Sequence, residues 1–221
     1  MESLSPVHEP HKQQGSILER VRQMVSSPFA QDVNRKADEF RAFKAASKES
    51  IFSELCFCLL TANTSAEMGV RTQQAIGPDG FMNLDQISLR NALRSTKYRF
   101  YNLRSEFIVE SRWIIDELPS LINSDDPFSS REYLIENVRG IGYKEASHFL
   151  RNVGVFNFAI LDKHILRMLL SEKPDLNIKV ASRKNYLATE QVILQMAEDM
   201  GLQPGILDLF MWKIATGKLI K

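Results

Sequence analysis

The sequence predicts an all-α fold. Apolar residues recur at spacings of three and four almost throughout, and no segment shows the apolar–polar alternation of a half-buried strand. The breaks between periodic segments carry capping residues and Gly/Pro turns. With 221 residues the chain can bury a core without disulfides or a structural metal, and its 44% hydrophobic and 25% charged fractions exclude a disordered chain or a disulfide scaffold. The longest nearly apolar run, Ile51 to Ala62, contains Ser53 and Glu54 and falls short of the roughly 20 residues needed to span a bilayer. Met1 to Pro6 show no basic stretch followed by an apolar one, so no secretory signal is readable and the protein is expected inside the cell.

Residues 1–15, with Pro6, Pro10 and a polar Gln-Gln-Gly, have no hydrophobic period and read as a mobile tail; residues 16–221 read as one helical unit. Ile17, Val21 and Val25 open the helical pattern, and Phe40 with Phe43 continue it. Ser50 is the expected cap of a helix through Ala62; a second runs from Ser65 to Ile76 and is expected to stop at Gly77-Pro78-Asp79-Gly80. A helix from Leu84 to Leu93 precedes a long one in which Phe100, Leu103, Phe107, Ile114 and Leu118 keep helical spacing up to Pro119. Beyond the Asp125-Asp126-Pro127 loop, helices are expected from Ser130 to Val138, Tyr143 to Val153, Leu161 to Leu170, Lys184 to Met200 and Pro204 to Leu219, with Gly201 as a C-terminal cap. That makes roughly ten helices by the periodicity rule, with no repeat of fixed period.

Net charge is only +1 and does not select a partner, but its distribution is uneven. Arg90 to Arg112 carries a local balance of +4, and the sign reverses from Trp113 to Glu136. Such segregation suits either a basic face for phosphates or ordinary solvated helix faces. The two cysteines, Cys56 and Cys58, fall on different faces of an apolar helix; they are expected to be buried and unpaired, and too few for a zinc or iron-sulfur site.

The chemically informative stretch is Val138-Arg-Gly-Ile-Gly-Tyr-Lys144, where one helix ends and another begins. Gly140 and Gly142 permit positive φ and close backbone approach, Ile141 anchors the turn, and the new helix presents unpaired N–H groups that suit a phosphate. A plain corner between two helices reads the same way. Lys144 lies in the first turn, where the helix dipole disfavours positive charge and so favours a neutral, nucleophilic amine. Eighteen residues on, Asp162 follows an apolar run; it either caps the next helix or does chemistry.

Gly140-Ile-Gly-Tyr-Lys144 followed by Ala159-Ile-Leu-Asp162-Lys-His164 resembles the helix-hairpin-helix DNA glycosylase superfamily, with the motif at about residues 131–154. Lys144 to Gly154, Leu59 to Thr64, Arg99 to Asn102 and the ending Trp212 to Lys221 are similar to its compact 8-oxoguanine DNA glycosylase/lyase group. The resemblance implies two helical subdomains with the active site in the cleft between them. It makes Lys144 the nucleophile that attacks C1′, expels the base and leaves a Schiff base open to β-elimination. Asp162 becomes the carboxylate that stabilises charge on the sugar and assists proton transfer. Trp212 would stack on the flipped base, or else be a core tryptophan; Lys221 would lie at the base pocket, or else be a solvated end. Phe100 is matched to a wedge in the duplex, although it also continues an apolar stripe. Asn63 is matched to a contact with the unpaired opposite base, although it also suits a cap between Ala62 and Ser65.

The expected partner is double-stranded DNA containing oxidised guanine, met by a monomer without a membrane. No cofactor is required, no iron-sulfur cluster is expected because no four-cysteine loop follows Cys58, and the hairpin permits a monovalent cation. His148 and His164 read as helix-packing groups, being sixteen residues apart with no carboxylate at a zinc-helix spacing. Two other readings stay open: a noncatalytic helix-hairpin-helix module, which needs neither Lys144 nor Asp162, and a glycosylase for another oxidised base.

Overall fold

A computed structural model of the chain describes residues 15–174, 180 and 182–221; the tail reading of residues 1–15 lies outside these apart from Gly15. The described residues form twelve α-helices and no strand: α1 Ile17–Val25, α2 Phe29–Ala42, α3 Lys48–Thr61, α4 Ala66–Asn83, α5 Gln86–Ser95, α6 Tyr101–Glu110, α7 Leu118–Ile122, α8 Pro127–Asn137, α9 Tyr143–Asn152, α10 Lys163–Glu172, α11 Arg183–Asp199 and α12 Pro204–Thr216. No described helix is long and apolar enough to cross a membrane.

Two cores form, and the chain visits one of them twice. Ile51 to Phe158 build the first core around α3, whose residues from Ile51 to Thr61 are all buried. A helix apolar on every side has to be enclosed, and here α4, α6, α7 and α9 surround it. Ile17 to Phe40 return to join Phe156 to Met211 in the second core, around α12. Two buried ion pairs tie the bodies together. Arg131 on α8 meets Glu190 on α11 at 2.7 Å, each side chain only 2% exposed, and Arg151 on α9 meets Asp208 on α12 at 2.7 Å. Such pairs add little net stability over apolar packing, but they fix one relative placement, because breaking either leaves a buried charge alone.

Several expected boundaries moved for local reasons. α3 is capped by Ser47 rather than Ser50. The Gly-Pro turn after Ile76 interrupts α4 where expected: Gly77, at φ 69° and ψ 168°, leaves the helical region and ends the first half, and Pro78 starts a second half, where its missing N–H costs nothing. Asp85 and Asp126 cap α5 and α8. The long helix from Phe100 breaks at Ser111 into a 3₁₀ stretch, Ser111–Asp116, and resumes as α7 with Pro119 in its first turn. The last helix ends at Thr216, on a left-handed Gly217.

The basic run does not make one open face. Arg104 is buried, donates to the Ala62 carbonyl at the end of α3 and stacks on Phe107; Arg112 donates to the Phe81 and Leu84 carbonyls at the end of α4. Both satisfy helix C-termini, where cations are favoured. Arg90, Arg94, Lys97 and Arg99 remain exposed.

Candidate active site

The hairpin between α8 and α9 closes through Ile141 N donating to the Val138 carbonyl at 3.1 Å, with Ile141 buried in the first core. Gly140 has φ 89°, and a Cβ there would come within 2.4 Å of the Phe107 ring, so only glycine fits. Gly142 corrects the expectation: its φ of −112° suits any residue. A Cβ at Gly142 would meet only the Glu145 carboxylate, at 3.4 Å. Having no side chain, Gly142 leaves the first N–H groups of α9 without a side-chain cap, as an anion site requires.

Lys144 projects from that first turn into a cleft of about 720 Å³ whose walls also carry Asn63, Glu145, His148, Asp162, His164, Trp212 and Lys221. The Lys144 side chain is 26% exposed, and its Nζ lies 3.2 Å from Glu145 Oε1. Asp162 reaches the cleft from the start of α10, and its two carboxylate oxygens have separate partners. Oδ1 caps the helix, accepting from His164 N at 2.8 Å and Ile165 N at 2.9 Å, while Oδ2 accepts from Trp212 Nε1 at 3.1 Å.

The extended segment before Asp162 is held by side chains from the second core. Glu190 accepts from Ala159 N, Asp208 accepts from Ile160 N, and Tyr186 accepts from Leu161 N while donating to the Ala159 carbonyl. Burial pushes Asp208 up to about 6, helped by the nearby Asp162 and opposed by Arg151.

Trp212 is half-buried on the cleft wall, with its ring edge-on to His164 at 6.3 Å, so it is not a core tryptophan. Lys221 ends the chain in the same cleft, its Nζ 2.7 Å from Glu54 Oε2 and 4.7 Å above the Phe57 ring, so it is not a solvated end. Asn63 is exposed with φ 63° and does not cap α4; Ser65 does. Phe100 lies away from the cleft, half-buried at the start of α6 beside Tyr98 and between Arg99 and Arg104. Sequence spacing does not single out Glu54 or Asn152, because the contact between them and that of Glu54 with Lys221 form only in the fold; Glu145 adjoins Lys144 in the chain, and no motif marks it.

His148, one turn beyond Lys144, is 7% exposed and edge-on to Phe57. Burial first, then the Arg151 and Lys144 charges, drive its pKa well below the ordinary value of 6.5, while a hydrogen bond with the Lys221 main chain opposes them. The unfolded chain therefore takes up a proton below about 6.5 that the folded chain refuses, so stability contributed by neutral His148 is lost as pH falls through that value. Melting curves between pH 7.5 and 5 should show a declining Tm whose slope is reduced in His148→Gln. Asp208 acts with the opposite sign between 3.8 and about 6 but is common to both proteins. Equal slopes would remove His148 as the source.

Burial pushes both cysteine thiols well up, so neither is a nucleophile. No group of three or more His, Cys, Asp or Glu side chains gathers for a metal among the described residues.

The sequence profile of the 8-oxoguanine DNA glycosylase family matches residues 33–202. A Thermoplasma acidophilum protein named 8-oxoguanine DNA glycosylase/AP lyase is 54% identical over 204 residues, covering 90% of this chain and 98% of its own. The crystal structure of the Methanocaldococcus jannaschii 8-oxoguanine glycosylase/lyase with a 15mer DNA containing 8-oxoguanine superposes with a TM-score of 0.88 at 39% identity, covering 93% of this chain and 99% of that one. The Thermotoga maritima 8-oxoguanine DNA glycosylase superposes at 0.87 with 41% identity, covering 93% and 98%. With sequence and fold agreeing over nearly the full length of each relative, the chain belongs to the 8-oxoguanine DNA glycosylase family.

Proposed function

We propose that this protein excises 8-oxoguanine from double-stranded DNA and then cleaves the strand as an abasic-site lyase. The observation that carries the reading is the shared cleft: a lysine at an uncapped helix start and an anchored aspartate face one cavity large enough for a nucleobase. A noncatalytic DNA-binding module has no use for that pairing.

The Lys144 amine attacks C1′, forming a C–N bond as the bond from C1′ to the base breaks; the base leaves with the bonding pair and takes a proton. Deprotonated Lys144 is the attacking form, and Glu145, 3.2 Å away, is placed to hold its ammonium until then. Asp162 stabilises positive charge developing on the sugar, its orientation already fixed by three N–H donors. Opening of the sugar gives a Schiff base on Lys144, and loss of a C2′ proton eliminates the 3′ phosphate.

The uncapped N–H groups of α9 bind a backbone phosphate. The hairpin carbonyls of Arg139, Gly140 and Ile141 have no hydrogen-bond donor among the described residues, which supports a monovalent cation held there by main-chain oxygens. Phe100 as a wedge and Asn63 as the opposite-base contact belong to the same reading, as does a monomer acting where the cell keeps its chromosome. Residues 16–221 act in it as one unit of two interleaved subdomains.

The direct test is release of free 8-oxoguanine from a duplex carrying one such lesion, compared with duplexes carrying an oxidised pyrimidine or no damage. Release from the first alone is expected; release only from the oxidised pyrimidine would overturn the substrate.

Trp212 has two separable tasks in this scheme, since its ring faces the cleft while its N–H holds Asp162. Trp212→Ala should lose roughly 1 to 3 kcal/mol of lesion binding, the range for a base stacked on an aromatic ring, with binding to undamaged duplex nearly unchanged. Trp212→Phe should keep lesion affinity and slow base release. Equal lesion preference in wild type and Trp212→Ala, measured by binding titration, would exclude stacking.

A further inference from the structure

We propose that Glu145 is the proton acceptor for Lys144 and the proton donor for the departing base, one proton passing from amine to base through a single carboxylate. This role rests on the glycosylase reading and adds a catalytic residue to it.

Lys144 and Glu145 stand in the first turn of α9, and both side chains line the cleft. They are 26% and 16% exposed, and Glu145 Oε1 lies 3.2 Å from Lys144 Nζ, the atom that attacks C1′. Oε2 turns back toward the helix start, where Gly142 leaves it room; a Cβ on that residue would stand 3.4 Å from it. Among the described residues Lys144 is the one hydrogen-bond partner of this carboxylate, so it keeps open lone pairs for a proton.

The other bases of the cleft are committed elsewhere. Asp162 Oδ1 is filled by two main-chain N–H groups, and Oδ2 takes the Trp212 indole. His148 is buried, with Nδ1 unpartnered and its hydrogen bond made to the Lys221 main chain rather than to Lys144.

An ammonium beside a carboxylate is stable while water reaches both. Once DNA covers the cleft, dehydration penalises the two charges together, and one proton transfer neutralises both. The helix start adds to this by disfavouring the cation. The Nζ proton moves to Glu145, and the freed electron pair forms the bond to C1′. The base leaves with the pair of the broken bond and takes that proton, restoring the Glu145 carboxylate. Positive charge then rests on the nitrogen joining Lys144 to C1′.

Because the proton stays within the site, the transfer has no net pH dependence across about pH 6 to 9, where carboxylates are ordinarily ionised and lysines ordinarily protonated. Glu145 also faces His148 on α9, Asp162, Lys163 and His164 at the start of α10, and Lys221 at the chain end. The remaining cleft charges pair with each other, Arg151 with Asp208 and Lys218 with Glu67. All of these are shared by wild type and variant, so the ratio of their rates isolates Glu145.

The test is Glu145→Gln in the full chain, a residue that suits the third helical position as glutamate does. Single-turnover release of 8-oxoguanine should slow on the order of 10²-fold at about pH 7, and the ratio of wild type to variant should fall roughly tenfold per pH unit above that, because the variant's lysine must lose its proton to solvent. Borohydride trapping on a preformed abasic site needs the acceptor but no donor, and should show the same slope with a smaller loss, on the order of tenfold. Glu145→Asp, which keeps the carboxylate, should give a ratio that does not change with pH. Melting temperature and binding to intact duplex should hold in both variants. Parallel pH profiles for wild type and Glu145→Gln, whatever the rate loss, would reduce Glu145 to orienting Lys144 and overturn the proposal, as would an undiminished rate or the same slope in His148→Gln instead. A wild-type protein that releases no 8-oxoguanine, while abasic-site trapping shows the expected slope, would overturn the substrate reading and support Glu145 as the acceptor.

Discussion

Lys144→Gln should abolish release of 8-oxoguanine and every covalent adduct with DNA, a loss on the order of 10⁴-fold or more, the scale seen when an activated nucleophile is removed. Glutamine keeps much of the length of the side chain and can still hydrogen-bond, but its amide does not attack C1′. Binding to intact duplex should change little, because the N–H groups of α9 and the exposed cations away from the cleft remain. Gel-shift titration beside a strand-cleavage assay checks both halves. Near-normal cleavage would remove Lys144 from the mechanism.

Asp162→Asn carries the second-largest expected effect, on the order of 10²-fold or more in base release. The structure makes this substitution unusually discriminating. Asparagine caps a helix about as well as aspartate, so acceptance from His164 N and Ile165 N survives and the melting temperature should hold. What disappears is the negative charge facing the cleft, together with one partner of the Trp212 indole if the amide nitrogen turns toward it. A stable variant with a large rate loss supports the electrostatic role. Full activity in that same variant would reduce Asp162 to a cap.

The parts of this molecule legible in its sequence are those written locally. Helical spacing, the positive-φ Gly140 with buried Ile141, and an aspartate at a helix start are patterns a few residues long, and each recurs in the structure. Other features depended on who the neighbours are. Arg104 and Arg112 read as surface charge until the ends of α3 and α4 arrive beside them with unpaired carbonyls. Ser111 sits on an unbroken apolar period, yet its hydroxyl donates to the Ile108 carbonyl and the chain tightens to 3₁₀ at that point. Glu54 looked like an interruption of an apolar run; its partners Asn152 and Lys221 lie 98 and 167 residues away, a distance no spacing rule spans. For the same reason Lys144 and Asp162 could be placed on their own helices from sequence, whereas the side chains that hold the segment before Asp162 could not.

The central claim is that the Lys144 amine itself forms the bond to C1′. Borohydride reduction during reaction with an 8-oxoguanine duplex, followed by proteolysis and mass spectrometry of the adduct, reads that bond directly. The account predicts one major adduct, on the peptide that carries Lys144. An adduct on Lys163 or Lys221, which also line the cleft, or release of the base with no adduct at all, would contradict it.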